Sequence, residues 1–197
     1  AAYLAHLEDI RKLPLDPHEL EILNQLERDL AAWTKANAEL VRHMHRLVEM
    51  DVTHPTLLEA AQEGFRADHF AALVRASDHV TRGETFTGGA DHTKCRFGQW
   101  LGRHQTTNPA IRAVMERAAE PHTRFHAAVA AIQVNLSRGQ QEEAATILRE
   151  QMEPAAQQVV ALFADILQET ARAREIYTLI QRQALHDMAP LNAALDS

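Results

Sequence analysis

DPHELEILNQLERDLAAWTKANAELVRHMHRLVEM, residues 16–50, decides the fold class. Asp16 reads as a helix N-cap, Pro17 as the first helical residue and Glu19 as the returning carboxylate of a capping box. Beyond them Leu23, Leu26, Leu30, Trp33, Asn37, Leu40, Met44 and Leu47 recur at alternating steps of three and four. That spacing lays one stripe along a helix, the seam of a bundle or coiled coil, and the helix is expected to run to about Met50. Asn37 has two open readings: a polar residue that sets register, or an amide at the edge of the stripe.

The rest of the chain agrees with a helical class. Its 197 residues are 46% hydrophobic, enough for a core, with only seven Gly, seven Pro and 5% aromatics, a composition of helices rather than sheets. Twenty Lys plus Arg stand against 27 Asp plus Glu, a net charge of −7 without a basic run, which argues against a nucleic-acid groove and against an anionic membrane surface. One cysteine excludes an internal disulfide framework and leaves the redox compartment open. No apolar run approaches the roughly 18 residues needed to span a bilayer, and no signal peptide is visible. Both ends read as interior helix, so membrane segments are expected outside the chain, if anywhere.

Punctuation divides the chain beyond Met50. His54-Pro55 starts a helix through His69 to about Thr81, and Arg82-Gly83 ends it. Residues 83–94, with Gly88-Gly89, are the least regular part and deliver Cys95. Residues 97–103 read as a short helix, Asn108-Pro109 caps another to Leu136, and Ser137-Arg138-Gly139 breaks it. Residues 140–195 place Val159, Leu162, Ile166, Ala173, Ile176, Ile180 and Ala184 on one face. Unbroken, that helix would be about 84 Å long, so Pro154 and a break near residues 169–173 are expected to divide it. Residues 147–162 around Glu-Pro-Ala are echoed by residues 176–195 around Met-Ala-Pro. The expected fold is all-α, an elongated antiparallel bundle of four-helix type, with a separate helical module over residues 55–137 and long flanking helices over 1–54 and 138–197.

Cys95-Arg96-Phe97-Gly98-Gln99-Trp100-Leu101 and Pro121-His122-Thr123-Arg124-Phe125-His126 carry the chemistry. Two helical residues four apart differ by about 40° in azimuth and one turn in height, so His122 and His126 can grip one ion. Thiolate with imidazoles is a zinc donor set, and His69 is the candidate fourth donor. The spacing alone leaves a plainer alternative open, in which Cys95 is a small buried hydrophobe and His122, beside Pro121, a first-turn residue.

Asp68-His69, Lys94-Cys95-Arg96-Phe97-Gly98-Gln99-Trp100-Leu101 and Glu120-Pro121-His122-Thr123-Arg124-Phe125-His126 resemble the chemoreceptor zinc-binding domains. The resemblance covers about residues 67–136 and implies one Zn2+ held by His69, Cys95, His122 and His126. It departs at Ala72, where such domains carry Trp three residues after the first His, which implies looser packing around His69. His79 and His92 are fallback ligands, although His79 lies about 280° around the helix from His69. His6, His18, His43, His45, His54, His104 and His186 read as solvated or locally hydrogen-bonded. The flanking segments resemble the sensor helices of methyl-accepting chemotaxis receptors. By that likeness the chain is the extracytoplasmic, periplasmic sensor of an inner-membrane receptor, a homodimer through its long helices and responsive to a small-molecule stimulus. A cytoplasmic zinc-responsive module of a signalling enzyme such as a diguanylate cyclase is the alternative. Four protein ligands leave no open coordination position, so no catalysis is expected.

Overall fold

The computed structural model describes residues 2–189, and among these every regular element is helical. α1 spans Ala2–Arg11, α2 Pro17–Glu49, α3 Pro55–Arg82, α4 Arg96–Arg103, α5 Pro109–Ser137, α6 Gln141–Ile147 and α7 Glu153–Arg182. The expected all-α class holds for the described residues. Residues 190–197, where the last helix is expected to end, and the side chain of His186 lie outside the described residues.

Local chemistry places the helix ends. The Asp16 carboxylate accepts the His18 and Glu19 amides at 2.8 Å each, and Glu19 accepts the Asp16 amide at 2.8 Å. This is the reciprocal cap expected from the sequence. Gly83 ends α3 with φ 68°, a left-handed conformation that costs glycine little. Asn108 caps α5 by accepting the Ala110 and Ile111 amides, and its own amide donates to the Met50 carbonyl at 2.8 Å. Pro109 then occupies the first turn, where a missing N–H costs nothing.

The C-terminal stretch divides differently from expectation. A π-helical turn over Leu148–Met152 joins α6 to α7, with the Glu153 amide reaching back five residues to the Leu148 carbonyl. The wider turn sits just ahead of Pro154, whose ring could not complete an ordinary helical register. A second π-helical turn, Gln183–Met188, ends two residues before Pro190 in the sequence, just as the first ends two before Pro154. The expected break at residues 169–173 does not occur. Thr170 is buried there, its hydroxyl donating to the Ile166 carbonyl at 2.9 Å, so the polar group is satisfied inside the helix. The inward stripe keeps Val159, Ile166, Ala173 and Ile176 as expected and departs from expectation at two places. Val159, Phe163, Ile166, Thr170 and Ala173 are buried, while Leu162 is half-buried and Ala184 exposed.

Residues 49–174 form one compact unit, and the segments before and after them form another. In the latter, α1 lies along α2 through Tyr3–Thr34 and Arg11–Asn24 hydrogen bonds, each 2.9 Å, and the Gln183 amide donates to the Ala36 carbonyl at 3.0 Å. Leu23 and Leu47 of the predicted seam are buried, but Met44 is exposed and Asn37 half-buried. The unit of residues 49–174 includes the following two apolar clusters. One gathers Ala76, Val80, Phe125, Val129, Ile132, Leu136, Leu148 and Met152, the other Phe65, Phe97, Ala118, Val159 and Phe163. Burial of this kind is the main drive for packing helices together.

Candidate metal centre

α3, α5 and the N-terminus of α4 bring His69, Cys95, His122 and His126 together among these apolar side chains. One ligand atom from each lies within 4.8 Å of every other. His69, His122 and His126 are buried and Cys95 half-buried. α5 continues unbroken from Pro109 to Ser137, so Pro121 lies inside the helix and His122 is not a first-turn residue. The ring of Pro121 is itself buried.

The hydrogen bonds aim the donors inward. His69 Nδ1 donates to the Phe65 carbonyl at 2.7 Å, and His126 Nδ1 to the Gly89 carbonyl at 2.5 Å. Each bond puts the ring proton on Nδ1 and leaves Nε2 bare, the arrangement that orients metal-binding imidazoles. His69 Nε2 is buried without a partner, an orphan that a cation would satisfy. His122 Nε2 lies 3.1 Å from both Cys95 Sγ and His126 Nε2. Donors around a tetrahedral zinc must sit about 3.3–3.6 Å apart, given bonds of about 2.0–2.3 Å, so the quartet fits that ion's size and its N and S preference.

The surroundings hold the quartet rigidly. The His69 ring packs against Phe125 at 5.1 Å, Phe163 at 5.9 Å and Phe97 at 6.0 Å. Cys95 caps α4, its Sγ accepting the Gly98 amide at 3.1 Å, and the loop before it is tied to α5 by Gln133 Nε2 donating to the Gly88 carbonyl at 2.7 Å. An open concavity of about 210 Å³ borders Ala72, Asp68, Arg75, Cys95 and His126, in line with looser packing where the bulky side chain is missing. His69 itself nonetheless stays 2% exposed.

The fallback histidines are elsewhere. His79 stacks on Phe86 at 5.0 Å. His92 contributes its backbone, the Cys95 thiol lying 3.4 Å from its carbonyl oxygen, and its ring is 6.0 Å from that of His122. His6, His18, His45 and His54 are exposed. His104 and His43 depart from the solvated expectation. His104 stacks on Trp100 at 4.4 Å with Nε2 buried and unpartnered, and His43 Nδ1 is likewise buried without a partner. Sequence reasoning misses Phe163 and the approach of Gly98 to His92. Phe163 is one residue out of phase with the predicted stripe, and the approach is a contact between segments that periodicity does not report.

Burial dominates the protonation states. It pushes His122 down to about 3, helped by the neighbouring His126, His69 and His92, and it lowers His69 and His126. It raises the Cys95 thiol, against the pull of the Gly98 amide. The metal-free site at pH 7 therefore holds three neutral imidazoles and one thiol. Zinc binding at pH 7 should release about one proton per ion, the thiol's. Calorimetry in buffers of different ionisation enthalpy counts it, and release of three or more protons would contradict this state.

Residues 69–133 match the family model of the chemoreceptor zinc-binding domain. No curated protein and no solved structure matches the chain. The match spans all four donors and coincides with the cluster built from geometry alone. Together they mark a zinc-binding signalling domain.

Proposed function

We propose that this chain is the sensory part of a bacterial chemoreceptor, in which His69, Cys95, His122 and His126 supply four ligands to one Zn2+ and thereby clamp α3, α4 and α5. The observation that carries this is the inward convergence of four donors from separate segments, within a stretch matched to a domain described as chemoreceptor zinc-binding. Four protein donors leave no position for a substrate water, so the metal supplies cohesion and not catalysis. Zinc binding becomes stability of the helix arrangement. Phe163 of α7 packs on Phe97 at 4.8 Å and on the His69 ring, so a change in the centre reaches a helix that continues to Arg182. A signal of this kind works only through a difference in affinity between two packings.

The proposed receptor is a homodimer through its long helices. Exposed Val41, Met44 and Val48 form one stripe along α2, a surface that suits a second copy. The extracytoplasmic placement rests on the likeness of the flanking segments to receptor sensor helices. Among the described residues no helix is long and apolar enough to cross a membrane. The second reading, a cytoplasmic regulator of a signalling enzyme, is favoured by Cys95, a lone half-buried thiol that keeps its metal best in a reducing compartment.

Expression of the natural full-length protein with and without a membrane-permeant zinc chelator tests the function. Signalling output should change on chelation in the wild type and stay fixed in His126→Ala. Equal responses in both, or none in either, would contradict a zinc-dependent sensor. A topology reporter placed at residue 140 of the same protein decides the compartment.

A further inference from the structure

Arg96 follows Cys95 and Asp68 precedes His69, so each is the chain neighbour of a zinc donor on a different segment. Their side chains meet outside the metal cluster. Arg96 Nε donates to Asp68 Oδ2 at 2.6 Å, and Arg96 Nη2 donates to Asp68 Oδ1 at 2.6 Å. This is the two-pronged fork that guanidinium makes with carboxylate and that lysine cannot make. Arg96 Nη2 also donates to the Gly64 carbonyl at 3.1 Å.

Gly64 and Asp68 are one turn apart on α3, so they share a face. A Cβ at Gly64 would stand 3.0 Å from Arg96 Nη1 and 3.3 Å from its Cζ. The missing side chain lets the guanidinium lie flat against α3 and fixes the height at which α4 begins. Backbone carbonyl and carboxylate together give Arg96 three acceptors on one helix, although both side chains of the pair remain exposed.

The other restraints on Cys95 act from different directions. Its Sγ faces the Gly98 amide, the His92 carbonyl and His122, all in α4, its preceding loop or α5. None of these three reaches α3, on which the start of α4 is held by Phe97 and Trp100 packed against Phe65 and by the Arg96 contacts. From this geometry we infer that Gly64, Asp68 and Arg96 form a latch that positions Cys95 against His69 and governs how readily the thiolate arm leaves the metal. The inference rests on the zinc-binding reading for its purpose, but the latch itself consists only of this chain's own atoms. Neither Asp68 nor Arg96 touches the ion; both are positioning residues.

Two rates test it. One is zinc transfer from loaded protein to a colorimetric chelator. The other is alkylation of Cys95 by iodoacetamide in zinc-free protein, which needs no metal. In Arg96→Ala and in Asp68→Asn both rates should rise about fivefold, the scale expected when a partly exposed ion pair is lost. Arg96→Lys, which keeps the charge and loses the fork, should fall in between. The exchange Asp68→Arg with Arg96→Asp should bring both rates back to within twofold of wild type, and the zinc-free melting temperature should fall by no more than about 4 °C in any variant. Rates within twofold of wild type in Arg96→Ala, an exchange no better than the single variants, or a melting temperature that drops by more than about 4 °C as the rates rise would each overturn the latch. Wild-type protein that retains no zinc would instead refute the metal reading, and the alkylation rates would still decide the latch.

Discussion

Gly98→Ala should abolish stoichiometric zinc binding while leaving the chain helical. A Cβ at position 98 would stand 1.8 Å from the His92 carbonyl oxygen, 2.9 Å from its carbon and 3.2 Å from His122 Cε1. The first two atoms are backbone, so no side-chain rotation relieves the clash. α4 or the residue 83–94 loop must move by about 1 Å or more, and metal sites tolerate errors of only about 0.2 Å in ligand distance. The same move pulls the Gly98 amide off Cys95 Sγ. The glycine of the Cys-x-Phe-Gly pattern is thus required by a close approach, not by a left-handed backbone, since its φ is helical. Elemental analysis should find about one zinc per chain in wild type and a small fraction of that in the variant, with unchanged far-ultraviolet dichroism. Full zinc occupancy in Gly98→Ala would show that the loop is not where the structure puts it.

The second large effect is expected at His122. Its Nε2 stands between Cys95 Sγ and His126 Nε2, and the residue is 1% exposed. His122→Ala leaves three donors and an apolar void, so zinc affinity should fall on the order of a hundredfold or more. Added zinc should raise the wild-type melting temperature, by linkage to a native-state ligand, and scarcely move that of the variant. Acid should act in the same direction. The folded-state value of His122 is lowered to about 3 from an ordinary 6.5. Its contribution to stability is therefore complete above about pH 6.5 and is lost as pH falls from there towards about 3. His69 and His126 shift in the same sense. Thermal melts of zinc-free wild type at pH 7.5 and pH 5 should show the loss, and His122→Ala should show less of it. A pH-independent melting temperature would contradict buried neutral imidazoles.

Much of this architecture is legible in the amino-acid sequence, for physical reasons that differ by element. Helix ends at Asp16, Gly83 and Asn108 are set by chemistry within three or four residues, and they fall where that chemistry places them. The pairing of His122 with His126 follows from helical pitch alone. Motif and resemblance point to those two together with His69 and Cys95, and the structure brings all four into one cluster. The π-helical turn at Leu148–Met152 is legible only as a disturbance around Pro154, because its exact register depends on the packing of Leu148 and Met152 against α5. Thr170 illustrates the reverse. A break is expected near residues 169–173, yet the Thr170 hydroxyl finds the Ile166 carbonyl and the helix continues. Long-range contacts leave the weakest trace. Asp68 and Arg96 each belong to a recognisable motif, but nothing in either segment reports that they meet, and the approach of Gly98 to His92 is visible only once the loop is folded.

The central claim is that one thiolate and three imidazoles of this chain enclose a single zinc ion. X-ray absorption at the zinc edge, on protein purified without chelator, tests it most directly. The account predicts one sulfur at about 2.3 Å and three nitrogens at about 2.0–2.1 Å, with the sulfur lost in Cys95→Ala. A shell of nitrogen and oxygen alone in wild type, or no retained zinc, would contradict it.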